Sequence, residues 1–181
     1  MRDHILDTAA KLFYRHGLRA VGVDRIIEEA GIAKATLYKH FRTKETLIVA
    51  YLASRHRFAL DAMTFAVESA GTDLVARASA PFNWLQSRVS DDFRGCAFLL
   101  AVAEHENSPE IRAVAVQHKD AVRDLFASAV AGLGRAAARD MARQLALLYD
   151  GALAAVIVRR NDDGVVLARK CAAALVKAAA G

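Results

Sequence analysis

The densest set of chemically able side chains lies in Gly31-Ile32-Ala33-Lys34-Ala35-Thr36-Leu37-Tyr38-Lys39-His40-Phe41-Arg42-Thr43-Lys44. Four of these residues are Lys or Arg, one is His, and no acid occurs until Glu45. Leu37 and Phe41 are four apart and share one helical face, while Lys34, Thr36, Tyr38, Lys39 and His40 project elsewhere. A short helix with an apolar back and a cationic, hydrogen-bonding front suits a DNA groove: ammonium groups attract phosphates, and donors read base edges. Lys34 and Lys39 are candidates for guanine edges and Thr36 for a base or a phosphate, while the Ala35 methyl either touches a thymine methyl or simply favours helix. A solvated surface helix has the same composition, so the surroundings must decide.

Other chemistries find little support. Glu104-His105-Glu106 is the only acid–histidine cluster, and it lacks the HExxH spacing of a zinc site. Standing before Asn107-Ser108-Pro109-Glu110, it reads as a solvated helix end. There is no Gly-rich phosphate loop and no nucleophile elbow, so neither an enzyme nor a cofactor is expected. Two cysteines, Cys96 and Cys171, provide no disulfide framework and no metal site, and both are expected as buried thiols.

Charge separates the chain into two regions. Residues 1–57 hold eleven Lys/Arg and six Asp/Glu, a net of +5; residues 58–181 hold fourteen of each. The whole excess sits in the first third, as expected of a basic nucleic-acid-binding module on a neutral body. The first residues lack the apolar core of a signal peptide. Apolar runs such as residues 152–158 are too short to span a bilayer. A cytoplasmic protein without membrane contact is expected.

Only two prolines, with abundant Ala, Leu and Arg, favour an all-α fold of about nine helices. Ile5, Leu6, Ala9, Leu12 and Phe13 form the apolar stripe of a first helix, residues 2–16, ended at Gly17. Val23, Ile26, Ile27 and Ala30 face inward from a second, residues 23–30, ended at Gly31. With a third at 34–41, these are helix-turn-helix proportions. Thr43 caps a fourth helix, residues 44–69. Lys44 is electrostatically misplaced at its N-terminus, a cost that a DNA phosphate would reverse. Further helices are expected at 73–89, interrupted or kinked by Pro81; 93–105; 109–130, capped by Ser108; 136–160; and 165–179. The last two are rich in Ala and suit close pairing with a second subunit as a four-helix bundle.

The run Ala9-Ala10-Lys11-Leu12-Phe13, then Gly17, Val23-Asp24-Arg25-Ile26, Ala30-Gly31-Ile32, Ala35 through Phe41, and Lys44-Glu45-Thr46-Leu47 resembles the DNA-binding domain of the tetracycline-repressor-like (TetR) transcriptional regulators. Residues 93–98 with Ala103-Glu104, and Asp150-Gly151-Ala152-Leu153, resemble a branch of that family's ligand-binding domains. The resemblance implies a DNA-binding domain over 1–46 and a helical ligand-binding and dimerisation domain over 47–181. It implies a homodimer on a palindromic operator in double-stranded DNA, commonly a repressor released by a small-molecule effector. Lys34, Ala35, Thr36, Tyr38, Lys39 and His40 would face DNA, with Tyr38 and His40 nearer phosphates, and Lys44 would grip a phosphate. The chain departs from the family at Val21 and Gly22, where Thr or Ser often caps the second helix, and at Ala33 and Ala35, often Ser and Gly.

Met63, Phe65, Phe82, Trp84, Phe98, His118, Phe126 and Tyr149 are candidate walls of an effector pocket, with His118 or Tyr149 as polar handles. They suggest a lipophilic or aromatic effector. The alternative reading is a helical adaptor that binds protein, its basic head merely solubilising.

Overall fold

The computed structural model describes residues 1–181 and is all-helical. Nine α-helices follow in order: α1 Arg2–His16, α2 Val23–Ala30, α3 Lys34–His40, α4 Lys44–Ser69, α5 Leu74–Arg88, α6 Ala97–Glu104, α7 Pro109–Ala129, α8 Arg135–Arg159 and α9 Asp163–Ala180. A single 3-10 turn, Ala131–Leu133, joins α7 to α8. The chain forms two compact units: Met1–Arg57 with Cys96–Val116, and Phe58–Gly95 with Gln117–Gly181. The head expected over 1–46 lies within the first unit, which also takes in α6.

In the first unit, the stripe read from α1 is buried in full: Ile5, Leu6, Ala9, Leu12 and Phe13. Ile26 and Ala30 of α2 and Leu37 of α3 are also buried. Neither short helix could hold itself in water, so burial of this apolar surface is what orders them. Gly17 leaves α1 at φ 90, and Gly31 ends α2 in the left-handed region at φ 62. Val21 is fully buried. Where relatives often carry a hydroxyl, this chain places a core methyl pair and leaves Gly22 as a cap without a side chain. Thr43 and Thr46 cap α4 reciprocally: Thr46 N–H donates to Thr43 Oγ1 at 3.1 Å, and Thr43 N–H donates to Thr46 Oγ1 at 3.2 Å. Ser108 caps α7, its Oγ accepting from Ile111 N–H at 3.2 Å.

In the second unit, α9 packs along both α5 and α8. Gly164, just ahead of the helix expected over 165–179, is instead the second residue of α9. A Cβ there would lie 2.4 Å from Ala155 Cβ, so its absence sets how closely α8 and α9 approach. Arg169 donates to Asn83 Oδ1 at 2.5 Å and to Gln86 Oε1 at 3.1 Å, and Gln86 donates to Asp162 Oδ2 at 2.6 Å, tying α5 to α9. Arg77 supplies donors to Ala129 O, Val67 O and Gly71 O at 3.1–3.3 Å, satisfying carbonyls at the C-terminal ends of α4 and α7 and in the turn after α4.

Three expectations need correction. Pro81 does not interrupt α5, which runs through it; Pro81 is buried beside Ala78, Ala80, Phe82 and Leu85, and that packing offsets the lost N–H. The sixth helix starts at Ala97, not near Phe93. Gly95 stands at φ 88, and a Cβ there would meet Ile157 Cδ1 at 2.2 Å. The Ile157 side chain seated against the Gly95 backbone, invisible in local periodicity, accompanies the exclusion of residues 93–96 from the helix. Cys171 is exposed on the outer face of α9, whereas Cys96 is buried. Helix α8 is the one helix long and apolar enough, by length and composition, to cross a membrane. Its alanines raise its mean hydropathy, and Met141, Leu145, Tyr149, Ala152 and Val156 form its buried stripe in this unit.

Candidate nucleic-acid interface

Helix α3 is seven residues long and is fixed by two apolar side chains. Leu37 is fully buried, and Phe41, just beyond the helix, is nearly so. The Arg2 guanidinium lies 5.0 Å from the Phe41 ring centroid, a cation–π contact tying the start of α1 to the end of α3. His4 Nε2 lies 2.9 Å from Ala30 O, joining α1 to the end of α2. With its back clamped, α3 turns Lys34, Ala35, Tyr38 and Lys39 to solvent, while Thr36 and His40 are half-buried. Tyr38 is 40% exposed, unusual for an aromatic in a head this small, and the ring has no core to fill on that side.

Ala33, at the N-cap of α3, makes no side-chain cap bond. The first N–H groups of α3 are therefore free of a capping side chain. Lys34 Nζ lies 3.5 Å from Asp24 Oδ1, but both side chains are largely exposed, so this pair is worth little and yields readily to a phosphate. Lys39 is exposed, and no hydrogen bond or ion pair holds it within the protein. His16 Nε2 lies 3.0 Å from an Arg25 guanidinium nitrogen on the same head.

Lys44 is placed differently from the DNA-facing set. It is half-buried, and its Nζ donates to the carbonyl of Arg19 at 3.3 Å. Burial lowers its ammonium pKa from the ordinary value, and the nearby Glu104 carboxylate acts in the opposite sense. Glu104 is not the solvated helix end that its sequence neighbours suggest. Its Oε2 accepts the Arg19 N–H at 2.6 Å. Residue spacing could not reveal this bond, because Arg19 and Glu104 are 85 positions apart. Glu45, beside Lys44, accepts a short hydrogen bond from the Ser108 hydroxyl.

The effector-pocket candidates divide. Phe82, Phe126 and Tyr149 meet as a buried aromatic trio, with ring centroids 5.6–6.0 Å apart in tilted and edge-on pairs. Met63 and His118 are buried in the same unit. Trp84 is half-buried and meets Phe58 in a tilted ring pair at 6.5 Å, and the Arg88 guanidinium covers Phe58 at 5.7 Å. Phe65 is 72% exposed on the outer face of α4 and joins no buried group. Phe98 is buried in the first unit, apart in the chain's division from the other seven.

Outward faces of the last two helices form two stripes. Gln144, Leu147, Gly151, Ala154 and Val158 of α8 recur at alternating intervals of three and four and are all exposed. Leu167, Cys171, Ala174 and Ala178 do the same on α9. Leu147 is 75% exposed and Val158 81%.

The profile of the bacterial regulatory proteins, tetR family, matches residues 5–51, which cover α1 to the first part of α4. The HTH-type transcriptional repressor ComR of Escherichia coli is 38% identical over 82 residues, 41% of this chain and 39% of ComR. The HTH-type transcriptional activator FasR of Mycolicibacterium smegmatis is 30% identical over 131 residues, 69% of this chain and 58% of FasR. The matched stretch is thus less than two thirds of either protein's length. The crystal structure of SCO4454, a TetR-family transcriptional regulator from Streptomyces coelicolor, superposes with a TM-score of 0.80 at 34% identity, over 98% of this chain and 93% of that one. Together with the basic head, the clamped third helix and the helical body, this likeness over nearly the full length of both chains means that the chain belongs to the TetR family of transcriptional regulators.

Proposed function

We propose that the protein is a sequence-specific DNA-binding transcriptional regulator, acting as a homodimeric repressor that a small molecule releases from a palindromic operator. The observation that carries the reading is α3: its apolar face is buried through Leu37 while Lys34, Ala35, Tyr38 and Lys39 are exposed on a head holding the chain's entire charge excess. Lys34 and Lys39 are assigned to guanine edges, Ala35 to a thymine methyl, and Thr36 to a base or phosphate. Tyr38 and His40 are assigned to phosphates, with Lys44 joining them once freed from Arg19 O. The exposed stripes of α8 and α9 support a four-helix bundle between two subunits, because small residues allow close approach and apolar ones gain from burial. The aromatic trio Phe82, Phe126 and Tyr149, with Met63 and His118, supports an apolar or aromatic effector. A family pattern of DNA-binding domain followed by effector and dimerisation domain agrees with the notable charge asymmetry along the chain.

The test is fluorescence anisotropy with DNA from upstream of the coding gene and from inverted repeats found by selection, against random duplex, across a salt series. Binding that prefers one inverted repeat by about a thousandfold over random duplex is expected. Equal affinity for every duplex, or none at low salt, would overturn the reading and favour a protein-binding adaptor.

A further inference from the structure

The α1–α2 loop carries a polar knot. Leu18 and Val21 anchor the loop in the core, and Gly17 turns it at φ 90. The Arg19 peptide groups between these anchors are taken up by two side chains from distant helices. Glu104, the last residue of α6, accepts the Arg19 N–H, and Lys44, the first residue of α4, donates to the Arg19 carbonyl. A Cβ on Gly17 would stand 3.3 Å from Glu104 Oε1, so glycine is what lets the carboxylate sit this close to the loop. These groups rim a cavity of about 420 Å³ with Glu45, Glu106 and Ser108.

The arrangement has an electrostatic consequence. Lys44 stands where a helix dipole and free N–H groups would draw a phosphate. In this structure its ammonium points to a backbone oxygen, and the acids around the same cavity are Glu45, Glu104 and Glu106. Of the three, Glu104 also reaches the peptide that Lys44 holds. The rim thus sets three carboxylates, Glu45, Glu104 and Glu106, against Lys44 and Arg19, with His105 beside them. An approaching phosphate would meet carboxylates beside Lys44 at the one end of α4 that should attract it.

We infer that Glu104 is a positioning residue with two separable effects on the DNA-binding head: its oxygen fixes the Arg19 backbone, and its charge masks Lys44 from DNA phosphate. Withdrawal of Glu104 from the loop unmasks Lys44, so the carboxylate is a built-in competitor of the nucleic-acid backbone. The inference rests on the DNA-binding reading above for its phosphate, but the masking itself is a property of the free protein.

Glu104→Gln separates the two effects, because the amide oxygen still accepts from Arg19 N–H while the charge is gone. In anisotropy titrations of the full chain, Glu104→Gln should bind operator and random duplex about three- to tenfold more tightly, with a salt slope steeper by about one ion per subunit. The gain should vanish in Glu104→Gln/Lys44→Met. A Glu104→Gln variant with unchanged affinity and slope, or a gain that survives the loss of Lys44, would overturn the masking. Amine-reactive ester labelling of the free protein, read at Lys44 by mass spectrometry near pH 9, needs no DNA. Loss of the carboxylate should raise Lys44 labelling several-fold, because the ammonium then gives up its proton more readily. Unchanged labelling would also overturn it. Raised labelling with no DNA binding by any variant would leave the masking standing and sink the DNA-binding reading instead. Glu104→Ala should additionally speed amide exchange at Arg19, and Glu104→Gln should not; equal exchange in both would refute the role of the oxygen.

Discussion

Lys39→Ala removes a side chain that the fold does not use. Lys39 is exposed on α3, and no hydrogen bond or ion pair holds it within the protein, so its loss should change protomer stability by no more than about 0.5 kcal/mol. Leu37 and Phe41, which hold the helix in place, are untouched. If Lys39 contacts a guanine edge, each subunit loses about 1–3 kcal/mol of discrimination, or about 2–6 kcal/mol for a dimer on two half-sites. At 1.4 kcal/mol per decade, operator affinity should then fall by at least roughly 30-fold. Random duplex offers the same side chain only phosphates, so its loss there should be confined to about one ion per subunit in the salt slope. Anisotropy on selected operator and on random duplex, with circular dichroism melting as the control for folding, reads all three quantities. A parallel loss on both DNAs with unchanged site preference would refute the assignment of Lys39 to a base. A lowered melting temperature would refute the claim that the fold ignores it.

Leu37→Ala should instead cost about 2–5 kcal/mol, because a fully buried leucine is replaced by a cavity under a helix too short to hold itself; chemical denaturation would read the loss, and a cost below 1 kcal/mol would contradict the clamp. Gly95→Ala should destabilise through its φ of 88 and the 2.2 Å approach to Ile157, and Ile157→Ala in the same chain should recover only the steric part; a double-mutant cycle with no coupling would contradict that contact. Leu147→Glu should yield a folded monomer by sedimentation, and a persistent dimer would remove α8 from the interface. Burial pushes the Tyr51 phenol up to about 12 from 10.0, so the folded state keeps a proton that the unfolded state releases. Stability from this group is therefore full below pH 10 and declines toward pH 12, by on the order of 2–3 kcal/mol. Tyr51→Phe should flatten that part of the stability–pH curve, and an unchanged curve would refute it.

The apolar stripe of α1, the caps at Thr43 and Ser108 and the alternation of buried and free positions around Leu37 were all legible in the sequence. They depend on neighbours within about one helical turn, where the period of the helix and the chemistry of a hydroxyl decide the outcome. The charge asymmetry was legible for a simpler reason, since it is a sum. What spacing could not show were the contacts closed by the tertiary fold. Gly95 reads as an ordinary helix position until Ile157 is packed against it, and Gly164 reads as lying just before the last helix until α8 and α9 close so far that a Cβ there would stand 2.4 Å from Ala155 Cβ. Pro81 reads as a break until the packing around α5 is known. Glu104 reads as a solvated helix end until the α1–α2 loop is folded onto it, and Lys44 as a free phosphate ligand until Arg19 offers it a carbonyl. The sequence alone therefore determined which helices form, which faces are apolar and where the positive charge lies. Only the tertiary structure decided which of those charges are free to meet DNA, because a backbone peptide 85 residues away can hold a carboxylate that local periodicity leaves in water.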